Sequence, residues 1–341
     1  MGSYPQRVIR IGRYPLAMVS LCAVLVLGAL GAVPARATTY FWNLAFERQW
    51  QADEAVIPGF WGPLRTSTAR IEPFAGRAGG SFCPVHPVTS IPFACGLAGI
   101  QGRTTQYFDK GRMEVTSLSY TQGGPKDVLI NGRLVAEMEN SRVQTGDTTF
   151  EHRPPPTAPL VGDPGNAGPT YSDLFVLPER DPDTGTPPPP FTFDPVAHQW
   201  AQRPDTPLPP SIPPPVFTYT RIDDPNGAYG QYVLTAFADY MARVPSGFAA
   251  FGWPLSPVFV VEVPVNGVPT VLVAQAFECR VLVYDATQPA GQEVDSTPVG
   301  RDYYEWRYGA NDPMRYGPPG LGYLPPRPTA SPTMPAPPFT P

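Results

Sequence analysis

Proline constrains this chain more than any other residue: 49 of its 341 residues are Pro, and they are concentrated rather than spread. Proline has a fixed φ and no backbone N–H to donate, so where it clusters neither a helix interior nor a central strand forms. Pro154-Pro155-Pro156, Pro187 to Pro190 and Pro213-Pro214-Pro215 frame a stretch, 154–216, with little apolar periodicity, which reads as a Pro-rich linker or wrapping loop. A further run from Pro318 leads to the expectation that residues 311–341 form a disordered tail. Two segments are left for packed structure, 38–153 and 217–310. With 42% apolar and 12% aromatic residues the chain can still build a core.

Residues 1–37 obey a different rule. Arg7, Arg10 and Arg13 precede an apolar run from Leu16 to Val33, and Ala35-Arg36-Ala37 places small residues at the two positions a signal peptidase reads. The segment is expected to be a signal peptide cleaved after Ala37, with a retained anchor as the alternative and the one expected route to a membrane. It holds four arginines and no acid, so cleavage takes the formal charge from −5 to −9, 20 basic against 29 acidic groups. A chain that acidic has no field to attract nucleic acid or anionic lipid.

Cleavage leaves Cys83, Cys95 and Cys279. In an oxidising compartment the near pair is the expected disulfide, and Cys279 is read as a small buried residue of a strand. There is no C-x-x-C pair, and His86, His152 and His198 sit in Pro-rich surroundings, so neither a metal nor a cofactor is expected.

The two segments follow one plan. Each opens with apolar residues at helical spacing, Phe41, Leu44 and Ala45 in the first and Tyr232 through Met241 in the second. Each then has an aromatic turn, Phe60-Trp61-Gly62-Pro63 or Phe251-Gly252-Trp253-Pro254. An extended glutamate-bearing stretch follows, around Glu72 or Glu262. Next is a strand with a Gln-x-Phe-acid start: Gln106, Phe108 and Asp109, or Gln275, Phe277 and Glu278. Asn266-Gly267 between Val-rich runs signals a two-residue hairpin, as does Asn131-Gly132 between Val128 and Val135. The first copy is longer by an insertion at 77–102, where Cys83 and Cys95 lie, and a bridge there offsets part of the entropy of the added loop. Residues Val299 to Tyr308 read as a short aromatic helix. The fold class expected is mainly β with a few short helices, α+β. Two related small antiparallel β-units pack together, joined by the linker.

On these residues the chain resembles a family of exported bacterial proteins. The likeness lies in Trp61-Gly62-Pro63, in Gln106-Tyr107-Phe108-Asp109-Lys110-Gly111-Arg112-Met113-Glu114 and in Val299 to Tyr308. It covers most of residues 40 to 310 and implies export but no particular activity. Gly252-Trp253-Pro254-Leu255 with Phe277 to Tyr284 is also similar to LGFP repeats, β-units that attach exported bacterial proteins to the cell envelope. The first unit departs from that pattern, lacking the final Tyr.

Trp61, Tyr107, Trp253, Tyr303 and Trp306 are the candidate ligand-binding residues, because aromatic faces stack on sugar rings; the competing reading is that they form the core. Glu72, Asp109, Glu114, Glu137, Glu262 and Glu278 are candidates for a paired-carboxylate hydrolase. Their equivalent places in the two units favour structural acceptors or partners for Arg112 and Arg280 instead. No catalytic residue is assigned: the chain has no Gly-x-Ser-x-Gly elbow and no His-Glu-x-x-His. The expectation is a secreted or cell-surface, non-catalytic module that binds envelope or extracellular polysaccharide. The alternatives are an extracellular glycan or peptide hydrolase and a structural protein-partner module.

Overall fold

The structure, a computed structural model, describes residues 44–65, 70–74, 102–115, 129–178, 185–202, 218–223, 230–309 and 312. The chain divides into two units, Met1–Thr39 and Tyr40–Pro341, and every described residue lies in the second. The segment 1–37 expected to be a signal peptide, Cys83 and Cys95 with nearly all of their insertion, and residues 311–341 apart from Asp312 lie outside the described residues.

The first segment starts with α1 (Leu44–Val56). Strands β1 (Arg70–Pro73), β2 (Gly102–Phe108), β3 (Gly111–Val115) and β4 (Leu129–Asn131) follow as an antiparallel sheet in chain order. Asn131-Gly132 does not make the expected hairpin, for β4 ends there and α2 (Leu134–Glu139) begins. Gly132 serves close approach instead, because a Cβ on it would fall inside the Arg112 guanidinium. Strands β5 (Arg142–Gln144) and β6 (Phe150–His152) then form a small hairpin.

The stretch expected as linker departs from that expectation over its described residues. Leu160, Val161, Tyr171 and Leu174 are buried. Strands β7 (Phe191–Asp194) and β8 (Gln199–Gln202) form a hairpin that joins the main sheet. Trp200 packs edge-on against Phe259, ring centres 5.1 Å apart, and its indole N–H donates to the Asp173 carbonyl at 2.7 Å. Each buried residue is pinned singly by distant chain, so no local period betrays it. The run Pro187 to Pro190 ends just before β7 and Pro195 falls in the turn after it, at the sheet's outer hairpin, where missing N–H groups are tolerated.

In the second segment β9 (Tyr219–Asp223) pairs with β10 (Gly230–Leu234), and α3 (Thr235–Arg243) follows directly. The helical spacing from Tyr232 is therefore strand up to Leu234; all five β10 residues are buried, and such a strand shows the continuous apolar run a buried helix shows. Strands β11 (Phe259–Val265), β12 (Val268–Ala276), β13 (Val281–Tyr284) and β14 (Val294–Ser296) make an antiparallel run, to which β7 adds in parallel beside β11. Asn266 and Gly267, with φ of 52° and 77°, turn β11 into β12. Helix α4 (Val299–Tyr308) is the last element among the described residues. The architecture is β-rich α+β.

The segments build corresponding frames. Arg65 N donates to Tyr107 O at 2.9 Å and Asp109 N to Pro63 O at 2.8 Å; Leu255 N donates to Ala276 O and Glu278 N to Trp253 O, both at 2.9 Å. Gln106 faces Met113 across β2–β3 as Gln275 faces Leu282 across β12–β13. Gly132 N reaches Arg112 O as Thr297 N reaches Val281 O. The helices then cross over. Ala136 N of α2 donates to Glu278 O at 3.3 Å, and Arg301 N of α4 donates to Asp109 O at 2.9 Å. Each segment's helix thus closes the other's hairpin turn, and both core clusters draw side chains from both segments.

Candidate functional site

Beneath α4 the first sheet carries charge where a core is expected. Glu72, Arg103, Arg112, Glu114, Glu137 and Arg307 are all buried. Glu72 accepts from Tyr107 OH at 2.5 Å, Tyr308 OH at 2.6 Å, Arg307 Nη1 at 2.6 Å and Arg103 Nε at 3.2 Å. Arg112 pairs with Glu114 through Nε at 2.6 Å and with Glu137 through Nη2 at 3.1 Å. Arg103 Nη1 stands 3.0 Å from Glu114, and Tyr303 OH donates to Glu137. Three carboxylates and three guanidiniums make the cluster neutral.

The second segment shows that the frame does not need these charges. Pairing in β1–β2–β3 and β11–β12–β13 sets Glu72 against Val261, Arg103 against Leu272, Arg112 against Val281, Glu114 against Val283 and Tyr107 against Ala276. Those apolar counterparts all belong to one hydrophobic cluster. A buried ion network is commonly no more stabilising than the apolar residues that would fill its place. A charged layer kept in one segment and absent from the other therefore points to a role beyond folding. The signal was present in the sequence, where Arg112-Met113-Glu114 stands at the places of Val281-Leu282-Val283.

Electrostatics fix the protonation of the cluster. Burial pushes the Glu72 carboxyl up, but Arg307, Arg112 and Arg103 outweigh it and hold it well below the usual carboxylate range. Burial and the Glu72 charge push Tyr107 up to about 12. Glu72 is thus ionised and Tyr107 neutral at any ordinary pH, so neither passes a proton near neutrality. Asp302 on the same helix differs: burial raises it to about 6 against the pull of Arg301, and it accepts from Tyr171 OH at 3.0 Å.

One member of the cluster reaches a cavity. Glu137 lines a pocket of about 200 Å³ with Arg133, Asn140, Arg142, Gln144 and Phe150. Residues 133, 136, 137 and 140 share one face of α2, and β5 and β6 bring Arg142, Gln144 and Phe150 to it. Arg133 is paired with Glu278 at 2.6 Å.

The chain matches no family model, no curated protein and no solved structure. Its likeness to exported bacterial proteins and to LGFP repeats therefore rests on the residues quoted for it.

Of the aromatic candidates, Trp61, Tyr107 and Tyr303 are wholly buried and offer no face to a ligand. Tyr107 stacks on Tyr303, ring centres 6.1 Å apart, and Tyr303 meets Trp306 at 5.5 Å. Those three come together, whereas Trp61 lies in the other cluster with its N–H on Asp53 at 2.9 Å. Trp253 and Trp306 are half-buried, the first against Phe248, the second donating to Pro154 O at 2.7 Å. Of the candidate acids, Asp109 and Glu278 stand in equivalent places, each donating its backbone N–H to the aromatic turn before it, whereas Glu72 and Glu262 do not. Glu72 is buried and Glu262 exposed, because the two ladders differ by one residue and one step turns a side chain to the opposite face. Arg112 has acid partners, while Arg280 donates to the carbonyls of Phe60 at 2.9 Å and Ala250 at 3.2 Å. Burial lowers Arg280 to about 10 and raises the buried Cys279 thiol to about 12. Among the described residues no group of His, Cys, Asp and Glu is placed to hold a metal, and no helix is long and apolar enough to cross a membrane.

Proposed function

We propose that this protein is a secreted or cell-surface module that binds envelope or extracellular polysaccharide without catalysing a reaction on it. The observation that carries the reading is a groove of about 670 Å³ where the end of α1 meets the second segment. Asp163, Arg243, Asp285, Gln288, Gln292 and Glu293 line it together with Ile57, Val265 and Leu272. Carboxylates, amides and a guanidinium mixed with apolar side chains suit the hydroxyls and ring faces of a glycan, and the volume admits more than one sugar ring. The export signal in the sequence and the two corresponding turn-and-strand frames, with their LGFP-like residues, support an envelope location. Glu72, held ionised by its arginines, is unsuited to the proton-donor role in a glycosidase and does not line the groove.

The test is sedimentation of the mature chain with purified cell wall over a range of salt. Retention is expected, and the Gln288→Ala/Gln292→Ala variant, altered only at exposed positions, should be retained several-fold less. A mature chain that stays in the supernatant at every salt, or a variant retained as well as the parent, overturns the reading.

A further inference from the structure

The pocket beside α2 has the makings of a separate site. Its walls combine an aromatic face, two amides and two guanidiniums. Phe150 is 48% exposed, which leaves part of its ring open at the pocket. Exposed Asn140 donates from its side-chain amide to Ala136 O at 3.0 Å, and its side-chain oxygen accepts no hydrogen bond among the described residues. Among the described residues Arg133 has Glu278 as an ion partner, whereas the exposed Arg142 makes no side-chain ion pair.

The pocket floor belongs to the ion cluster. Glu137 would repel an anion if its charge were free, but Arg112 at 3.1 Å and the Tyr303 hydroxyl hold its two oxygens and Arg103 stands 3.8 Å away. Floor and Arg133 are thus neutralised from within, and Arg142 remains as an uncompensated cation at the mouth. The corresponding layer of the second segment is apolar, so the charges that shape this floor are not a demand of the frame. A volume of about 200 Å³ admits a single six-membered ring.

We propose that this pocket binds one sugar ring bearing a carboxylate, a uronic acid, with the carboxylate on Arg142, the ring face on Phe150 and hydroxyls on Asn140 and Gln144. Guanidinium and carboxylate match as paired donors and acceptors, which makes the acid group the selective element. The proposal takes its ligand class from the polysaccharide reading but uses a different site.

Calorimetric titration of the mature chain with glucuronate, glucose and acetate tests it. Glucuronate should bind at least about tenfold tighter than glucose, the value of one charge-assisted pair, and acetate should show no measurable heat. Arg142→Gln should bring glucuronate down to the level of glucose, and Phe150→Ala should weaken both sugars; circular dichroism checks that these exposed substitutions leave the fold intact. Equal affinity for glucuronate and glucose, or an Arg142→Gln variant that still prefers glucuronate, overturns the proposal. A chain retained on cell wall that ignores glucuronate defeats this pocket alone. One that binds glucuronate but is not retained defeats the groove reading alone.

Discussion

Arg112 has no exposed side-chain surface, and its charge is answered by Glu114 and Glu137. Removing it alone leaves those carboxylates buried and short of a partner. Arg112→Val is expected to lower stability by about 3–5 kcal/mol in urea unfolding. Glu72→Val, Arg103→Leu, Arg112→Val and Glu114→Val together copy the second segment and remove two charges of each sign. The fourfold variant should unfold at higher urea than Arg112→Val alone, and a lower midpoint would mean that the charges serve the fold after all. Acid separates two other residues. The folded Glu72 carboxyl lies below its unfolded value, so its contribution is present above about pH 4.3 and is lost as pH falls toward the folded value. Asp302 works in the opposite sense. Its folded value of about 6 exceeds the unfolded one, so the folded state holds the extra proton and stability falls as pH rises from about 4 to 6. Asp302→Asn should therefore be most stabilising at pH 7 and nearly neutral at pH 4; an offset that does not change with pH would contradict this.

At the scale of elements, the crossing of the helices leaves little room. Gly300 lies in the first turn of α4, where propensity alone would favour alanine by about 1 kcal/mol. A Cβ there, however, would run into the Phe108 carbonyl and the Gly111 backbone, because α4 must come close enough for Arg301 N to reach Asp109 O. Gly300→Ala is expected to cost about 3 kcal/mol or more, against about 1 kcal/mol for Gly291→Ala, where φ is 86° and no atom lies within 4 Å. Chemical denaturation of the two variants reads the difference. Equal costs would show that backbone conformation, rather than the helix-to-turn contact, sets the demand for glycine.

For the whole molecule the crossing means that neither segment is complete alone. One hydrophobic cluster joins Phe60, Trp61 and Phe108 to Phe237, Phe251 and Phe277; the other joins Leu134 and Met138 to Leu255, Phe259 and Leu272. Unfolding either segment exposes part of both. Calorimetry of the mature chain should give one transition with equal calorimetric and van't Hoff enthalpies, and Gly300→Ala should shift all of it. Two resolved peaks, one of them insensitive to Gly300, would contradict interlocked segments.

Local chemistry made part of this legible without coordinates. Asn266-Gly267 turns β11 into β12 because both residues accept positive φ. The Gln-x-Phe strands and the helix Val299–Tyr308 follow from periods of two and 3.6 that need no partner to be seen. The β-rich class follows from those same signals. Tertiary structure alone decided the rest, since the deciding contacts join residues far apart in the chain. Glu72 and Arg307 are 235 positions apart, and only the packing of α4 on the first sheet makes them a pair. Trp200 and Leu174 show no period, so their stretch reads as linker until Phe259 and the Asp173 carbonyl are beside it. Asn131-Gly132 looks locally like a turn, yet Gly132 is there because the Arg112 side chain needs the space. Propensity acts over a few residues, whereas burial and charge pairing act over the folded distance. The hairpins were therefore written locally, and the ion cluster and crossed helices were settled by packing.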